Sequence, residues 1–130
     1  MKSYIKDNSI IFDEADNLNL ALTLDCGQAF RWIQKPNGAW HAVVSGRAVD
    51  ITQDGERITV IGDTDERFWR TYLDLDRDYG AICEKLKTDR WLNRAIKEYS
   101  GIRILRQDTW EALCSFIISQ NNNIPRIKGI

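Results

Sequence analysis

The sequence predicts an α+β fold: an antiparallel sheet with covering helices, followed by the start of an all-helical unit. Three observations predict it. Between residues 29 and 61, short runs rich in strand-forming residues are separated by Asn37-Gly38, Ser45-Gly46 and Asp54-Gly55, which are hairpin signals. From residue 64 the apolar spacing changes to that of helices. After Gly101, a helix begins at Asp108 and stops at three consecutive asparagines. The division falls near Gly101, giving an α+β unit over residues 1–100 and an incomplete helical unit over 101–130.

Taken in order, Ser9 to Asp13 reads as a short strand. Leu18, Leu20, Leu22 and Leu24 alternate with Asn19, Ala21 and Thr23, a period of two that also predicts a strand. Gly27 then interrupts the pattern, either for a turn or bulge or for close backbone approach to a ligand. Ala29–Lys35, Ala39–Ser45, Arg47–Gln53 and Glu56–Ile61 form a four-strand meander, antiparallel because its connections are short. Phe68, Trp69, Tyr72, Leu73 and Leu75 then predict an amphipathic helix; Tyr79, Ile82, Cys83 and Leu86 a second; Trp91, Leu92, Ala95, Ile96 and Tyr99 a third, closed by Ser100-Gly101. Asp74, Asp76 and Asp78 alternate as in a metal loop, but Tyr79-Gly80 departs from the calcium pattern, so they read as a solvated link between helices.

Composition narrows the functional classes. The chain has 130 residues, 43% of them apolar, and five tryptophans, enough for one packed core. Its net charge is −1, which excludes a polycation, but the charge is uneven. Residues 1–100 hold 14 Lys and Arg against 17 Asp and Glu, a net of −3, whereas residues 101–130 hold 4 against 2, a net of +2. Nucleic-acid contact would therefore be local and C-terminal. Cys26, Cys83 and Cys114 are odd in number and far apart, and His41 is the single histidine, which argues against a disulfide framework or a zinc site. The thiols read as reduced, in a cytosolic setting. Met1 to Asp7 is too polar for a signal peptide, and no apolar run approaches membrane-spanning length, so no membrane partner is expected.

The C-terminal stretch carries the chemistry. Trp110, Leu113, Cys114, Ile117 and Ile118 form an apolar helix face, with Asp108 as N-cap and Glu111 placed to complete a capping box. Such a face calls for a covering partner: further helices beyond this segment, or self-association. Asn121, Asn122 and Asn123 follow, then Pro125, which disfavours a helical Ile124, and then Arg126 and Lys128. One reading is a polar corner ahead of a helix that has no room to form properly. The other is a loop aimed at nucleic acid, because amide and guanidinium groups match base edges and phosphates.

Two blocks make the second reading specific. Gly101-Ile-Arg-Ile-Leu-Arg-Gln-Asp108 with Ser115-Phe-Ile-Ile-Ser-Gln-Asn-Asn-Asn-Ile-Pro-Arg-Ile127, and Cys26-Gly-Gln-Ala-Phe-Arg-Trp32, resemble the 8-oxoguanine DNA glycosylases in identity, order and separation. Thr109 stands where members of that family commonly have proline. The resemblance implies an N-terminal sheet domain followed by helical domains, acting on double-stranded DNA containing 8-oxoguanine by flipping and excising the base, with no cofactor. By motif match, Gly27 corresponds to the glycine whose carbonyl reads the lesion. Asn121 corresponds to the residue entering the gap left by flipping, and Arg126 to an arginine contacting the orphaned cytosine. Asn122 and Asn123 match as DNA-loop residues that shape the corner. The family's lysine nucleophile and following aspartate lie in a helix–hairpin–helix beyond this segment. No catalytic residue is therefore expected here, and the chain alone should be inactive. Two other classes stay open on the residues themselves: a non-enzymatic nucleic-acid-binding module, or an inert structural fragment. A glycosylase for another damaged base is the enzymatic rival.

Overall fold

The computed structural model describes residues 1–130. The fold is α+β: six antiparallel strands and six helices. The strands are β1 (Lys2–Lys6), β2 (Ser9–Asp13), β3 (Ile33–Gln34), β4 (Trp40–Val44), β5 (Arg47–Asp54) and β6 (Arg57–Ile61). Their order in the sheet is β1-β2-β6-β5-β4-β3. The predicted meander is its β3 to β6 half; the β1–β2 hairpin adds to the free edge of β6, pairing Ile10 with Val60 and Phe12 with Ile58.

Local turn chemistry sets the register. Ser45 and Gly46 both take positive φ, 46° and 78°, the mirror-image turn that matches strand twist. The next turn lies one residue later than expected, at Gly55-Glu56, because Asp54 pairs with Arg57. Gly55 supplies the positive φ, 58°.

One face of the sheet carries the core. Ile10, Phe12, Ala42, Val44, Val49, Ile51, Ile58 and Val60 point inward and are buried. They meet α1 (Leu20–Leu24), α2 (Glu66–Tyr72) and the Leu73–Leu75 segment after it. Trp32 and Trp69 are the largest fully buried side chains. Burial of each contributes roughly 4–6 kcal/mol before conformational entropy is subtracted. The Trp32 Nε1–H donates to the Tyr72 hydroxyl at 3.0 Å, and burial pushes the Tyr72 pKa up to about 12.

Several sequence expectations are corrected. Leu18–Leu24 is not a strand: Asn19 accepts from Leu22 N–H and starts α1, whose buried residues Leu20, Thr23 and Leu24 follow helical spacing. The capping side chain outweighs the alternation. The Ala29–Lys35 strand shrinks to Ile33–Gln34, because the Gln28 carbonyl accepts from the Gln107 side chain and the Gln28 side chain bonds the 103–105 backbone. The helices α3 (Tyr79–Leu86) and α4 (Arg90–Tyr99) form where expected, capped by Asp78 and Asp89. Neither buries a residue, however, and Trp91 is 65% exposed. Asp74, Asp76 and Asp78 go separate ways: Asp74 pairs with Arg77 and Arg106, Asp76 with Arg70, and Asp78 caps α3. No helix is long and apolar enough to cross a membrane.

Candidate nucleic-acid interface

The two sequence blocks meet through Gln28. Its side-chain amide donates to Thr23 O at 2.9 Å and Arg103 O at 2.8 Å, and its oxygen accepts from Leu105 N–H at 3.0 Å. The Gln107 side chain closes the clamp on Gln28 O at 2.5 Å. Residues 102–108 form neither helix nor strand; Arg103 N–H donates to Thr23 Oγ1 of α1 at 3.2 Å, and Leu105 joins the core. Arg103 is buried beneath them. Its guanidinium donates to Asp74 O, Arg77 O and Asp16 O at 2.7, 3.2 and 2.6 Å, and stacks 4.5 Å from the Tyr79 ring centroid. Burial lowers its pKa, and its Nε has no partner. Sequence reasoning missed both Gln28 and Arg103. Their signal was present, in that each stands inside one of the two motif blocks, Arg103 between two isoleucines.

The clamp holds Gly27, the residue before Gln28, at φ 86°, in the region that favours glycine. The Gly27 carbonyl accepts no hydrogen bond within the chain. A Cβ built on Gly27 would lie 3.6 Å from Ile124 Cδ1. The structure therefore brings Gly27 against the helix that follows the asparagines.

That helix, α6 (Ile124–Gly129), follows α5 (Thr109–Ser119) across the asparagine corner. It is formed, contrary to the expectation that it had no room. Asn123 caps it by accepting from Arg126 N–H at 3.1 Å, and Ile124 is helical because Pro125 falls in the first turn, where its missing N–H has no helical partner to lose. At the other end of the corner, Asn122 donates to Ile118 O and accepts from Asn123 N–H. Asn121 turns the chain at φ 50°. The side chains of Asn121 and Arg126 are exposed and make no hydrogen bond or ion pair within the chain. The three asparagines thus divide: two are committed to the loop, and one is free.

Asp108 caps α5 through Trp110 N–H and Glu111 N–H, as expected. The reciprocal half of the capping box does not form. Glu111 instead accepts from Arg31 and from Ser45 N–H, tying α5 to the β4–β5 turn. A cleft of about 450 Å³ lies between the sheet and α5–α6, walled by Phe30, Ile33, Ile118 and Ile127 with Arg31 and Lys128 among its lining residues. The outer face of α5 is bare: Trp110 is 70% exposed, Phe116 63% and Ile117 62%. The cysteines are unpaired, and no cluster of three or more metal-ligating side chains occurs.

The family described as the 8-oxoguanine DNA glycosylase N-terminal domain matches residues 9–113. An N-glycosylase/DNA lyase of Saccharomyces cerevisiae is 35% identical over 126 residues, covering 85% of this chain and 34% of the yeast protein. Among solved structures, MBOgg1 in complex with a low-affinity DNA ligand superposes with a TM-score of 0.93 at 42% identity, over 98% of this chain and 45% of that one. Clostridium acetobutylicum 8-oxoguanine glycosylase/lyase in its apo form gives 0.91 at 40% identity, over 97% of this chain and 45% of that one. The same enzyme in complex with double-stranded DNA containing cytosine opposite 8-oxoguanine gives 0.93 at 40% identity, over 98% and 45%. The chain spans about a third of the yeast relative and less than half of the solved ones.

Proposed function

The chain belongs to the 8-oxoguanine DNA glycosylase N-terminal domain family, and from that premise we propose that it is the lesion-reading N-terminal part of a DNA repair glycosylase/AP lyase that flips 8-oxoguanine out of duplex DNA and excises it. The observation that carries this reading is the unengaged Gly27 carbonyl, held by the Gln28 clamp beside the asparagine corner. Guanine has an acceptor at N7; 8-oxoguanine has an N–H donor there. A carbonyl accepts only, so it bonds the lesion and repels normal guanine. Gly27 reads the base, and its lack of a side chain allows close approach.

Asn121 enters the gap left by the flipped base, and Arg126 contacts the orphaned cytosine. Their uncommitted side chains support these roles, whereas the internal bonds of Asn122 and Asn123 support a part in shaping the loop against DNA. No catalytic residue is assigned to this chain. The lysine nucleophile and its aspartate come from the helical part of the protein, which also covers the exposed face of α5. We divide the chain at Gly101 into an α+β unit, 1–100, and the opening of the helical unit, 101–130. The reaction needs no cofactor, and the place of action is wherever the DNA is, nucleoid or nucleus.

The test is a base analogue. The full-length protein is given duplexes in which 8-oxoguanine or its 7-carba counterpart, with a C–H at position 7, stands opposite cytosine. The analogue is expected to bind the pocket about 5- to 150-fold more weakly, the range for one lost hydrogen bond with an unsatisfied partner. Equal binding removes the Gly27 carbonyl from lesion reading.

A further inference from the structure

We propose that Asp25 and Lys128 form a positioning latch that fixes α6, and with it Arg126, against the lesion-reading loop. This rests on the glycosylase reading for its consequence, though not for its geometry. The helix α6 has six residues. A helix that short has no independent stability, so its placement depends on what it touches. The preceding α5 buries no residue, and its tie to the sheet, Glu111 to Arg31 and Ser45, lies in its first turn, away from α6. Its own anchors are few: Ile127 is buried, Ile124 rests beside Gly27, and the Lys128 ammonium donates to Asp25 Oδ1 at 2.5 Å.

The other end of the latch is already fixed. Asp25 closes α1, its own N–H bonded to Ala21 O. Three residues on, Gln28 is clamped to Thr23 and to Arg103. Asp25 is therefore a rigid point two residues before Gly27, and Lys128 is the cation two residues after Arg126. One ion pair links the two loops across 103 residues of sequence. The pair is half in solvent, with side-chain exposures of 52% for Asp25 and 26% for Lys128. An ion pair so exposed adds little to global stability. It selects one placement of a short helix, and a small misplacement near reacting groups is costly.

The variants are Asp25→Asn, Lys128→Gln, and the exchanged pair Asp25→Lys with Lys128→Asp. Hydrogen exchange of the Arg126 and Ile127 amides, which bond to Asn123, is followed in the 130-residue chain. Each single variant is expected to speed their exchange about two- to fivefold, while the global urea midpoint stays put and the exchanged pair restores protection. In the full-length protein each single variant lowers single-turnover excision of 8-oxoguanine about tenfold with duplex affinity unchanged, and the exchanged pair recovers most of it. Unchanged amide exchange overturns the latch. So does weaker duplex binding on Lys128→Gln alone, with Asp25→Asn neutral and no recovery in the exchanged pair, because Lys128 is then a phosphate ligand. If the unaltered full-length protein excises no 8-oxoguanine, the glycosylase reading falls, and the amide exchange still decides whether the latch holds α6.

Discussion

Replacing Gly27 by alanine separates two costs that are usually confounded. The added methyl group meets only Ile124 Cδ1, at 3.6 Å, which is ordinary van der Waals contact. Steric overlap therefore contributes little. The backbone is the problem: φ is 86°, and a residue with a Cβ held on the left-handed side loses about 1–2 kcal/mol. The lower entropy of the unfolded alanine chain returns about 0.4–1 kcal/mol. The expected net destabilisation is about 1 kcal/mol, a shift of roughly 0.5 M in the urea midpoint for a slope near 2 kcal/mol/M. Fluorescence reports it, because Trp32 and Trp69 are fully buried and move to water on unfolding. Two companions make the argument refutable. Gly27→Asn should cost less than Gly27→Ala, since asparagine tolerates the left-handed region. Ile124→Ala should not rescue Gly27→Ala. If it does, or if asparagine is the worse substitute, the cost is steric and the reasoning fails. In the full-length protein, Gly27→Ala should lower 8-oxoguanine excision by more than its stability loss explains, with duplex binding largely retained. On the proposed reading, the displaced carbonyl would forfeit a hydrogen bond worth about 1–3 kcal/mol against an unsatisfied donor.

Two further outcomes follow from groups outside the Gly27 loop. Arg103→Met leaves three backbone carbonyls without their donors, and should cost about 3 kcal/mol or more in urea unfolding; Arg103→Lys should recover little, because one ammonium cannot reach both Asp16 O and the Asp74–Arg77 carbonyls as the planar fork does. A lysine variant as stable as the parent would show that the fork is dispensable. Asp50 is held below the usual carboxylate range by the hydrogen bond from Lys35 first and by His41 second. A depressed folded value means that the stabilisation is present above the unfolded value of 3.8 and is lost as pH falls through the folded one. Asp50→Asn should therefore be less stable than the parent at pH 7, and the gap should close below about pH 4. A gap unchanged at pH 2.5 would assign the effect to something other than ionisation.

Much of the local structure was legible in the sequence. Ser45-Gly46 turned the chain where expected, the next turn fell one residue beyond Asp54-Gly55, and the period change after residue 64 marked the helices. The N-cap at Asp108 was readable for the same reason: a capping carboxylate bonds N–H groups two and three residues away. The alternating leucines 18 to 24 misled, because one cap at Asn19 and burial of Leu20, Thr23 and Leu24 decided for a helix. The strand β1 went unseen because it is an edge strand with little burial. The apolar periodicity of α3, α4 and α5 correctly indicated helices; that the α5 face lacks a cover in this chain was also expected, whereas the exposure of α3 and α4 was not.

By itself, then, the sequence determined turns, caps and periods, together with the two motif blocks that identify the family. These depend on atoms within a few residues of one another. Only the tertiary structure decided what the blocks do to each other. Gln28 finds its partners 75 and 77 residues away, Arg103 finds Asp16 O 87 residues away, and Lys128 finds Asp25 across 103. No local propensity encodes such pairings. They exist because the fold buries the Arg103 side chain and half-buries Gln28, and backbone groups brought within reach satisfy both: Asp16, Asp74 and Arg77 carbonyls for the arginine, the 103–105 backbone for the glutamine.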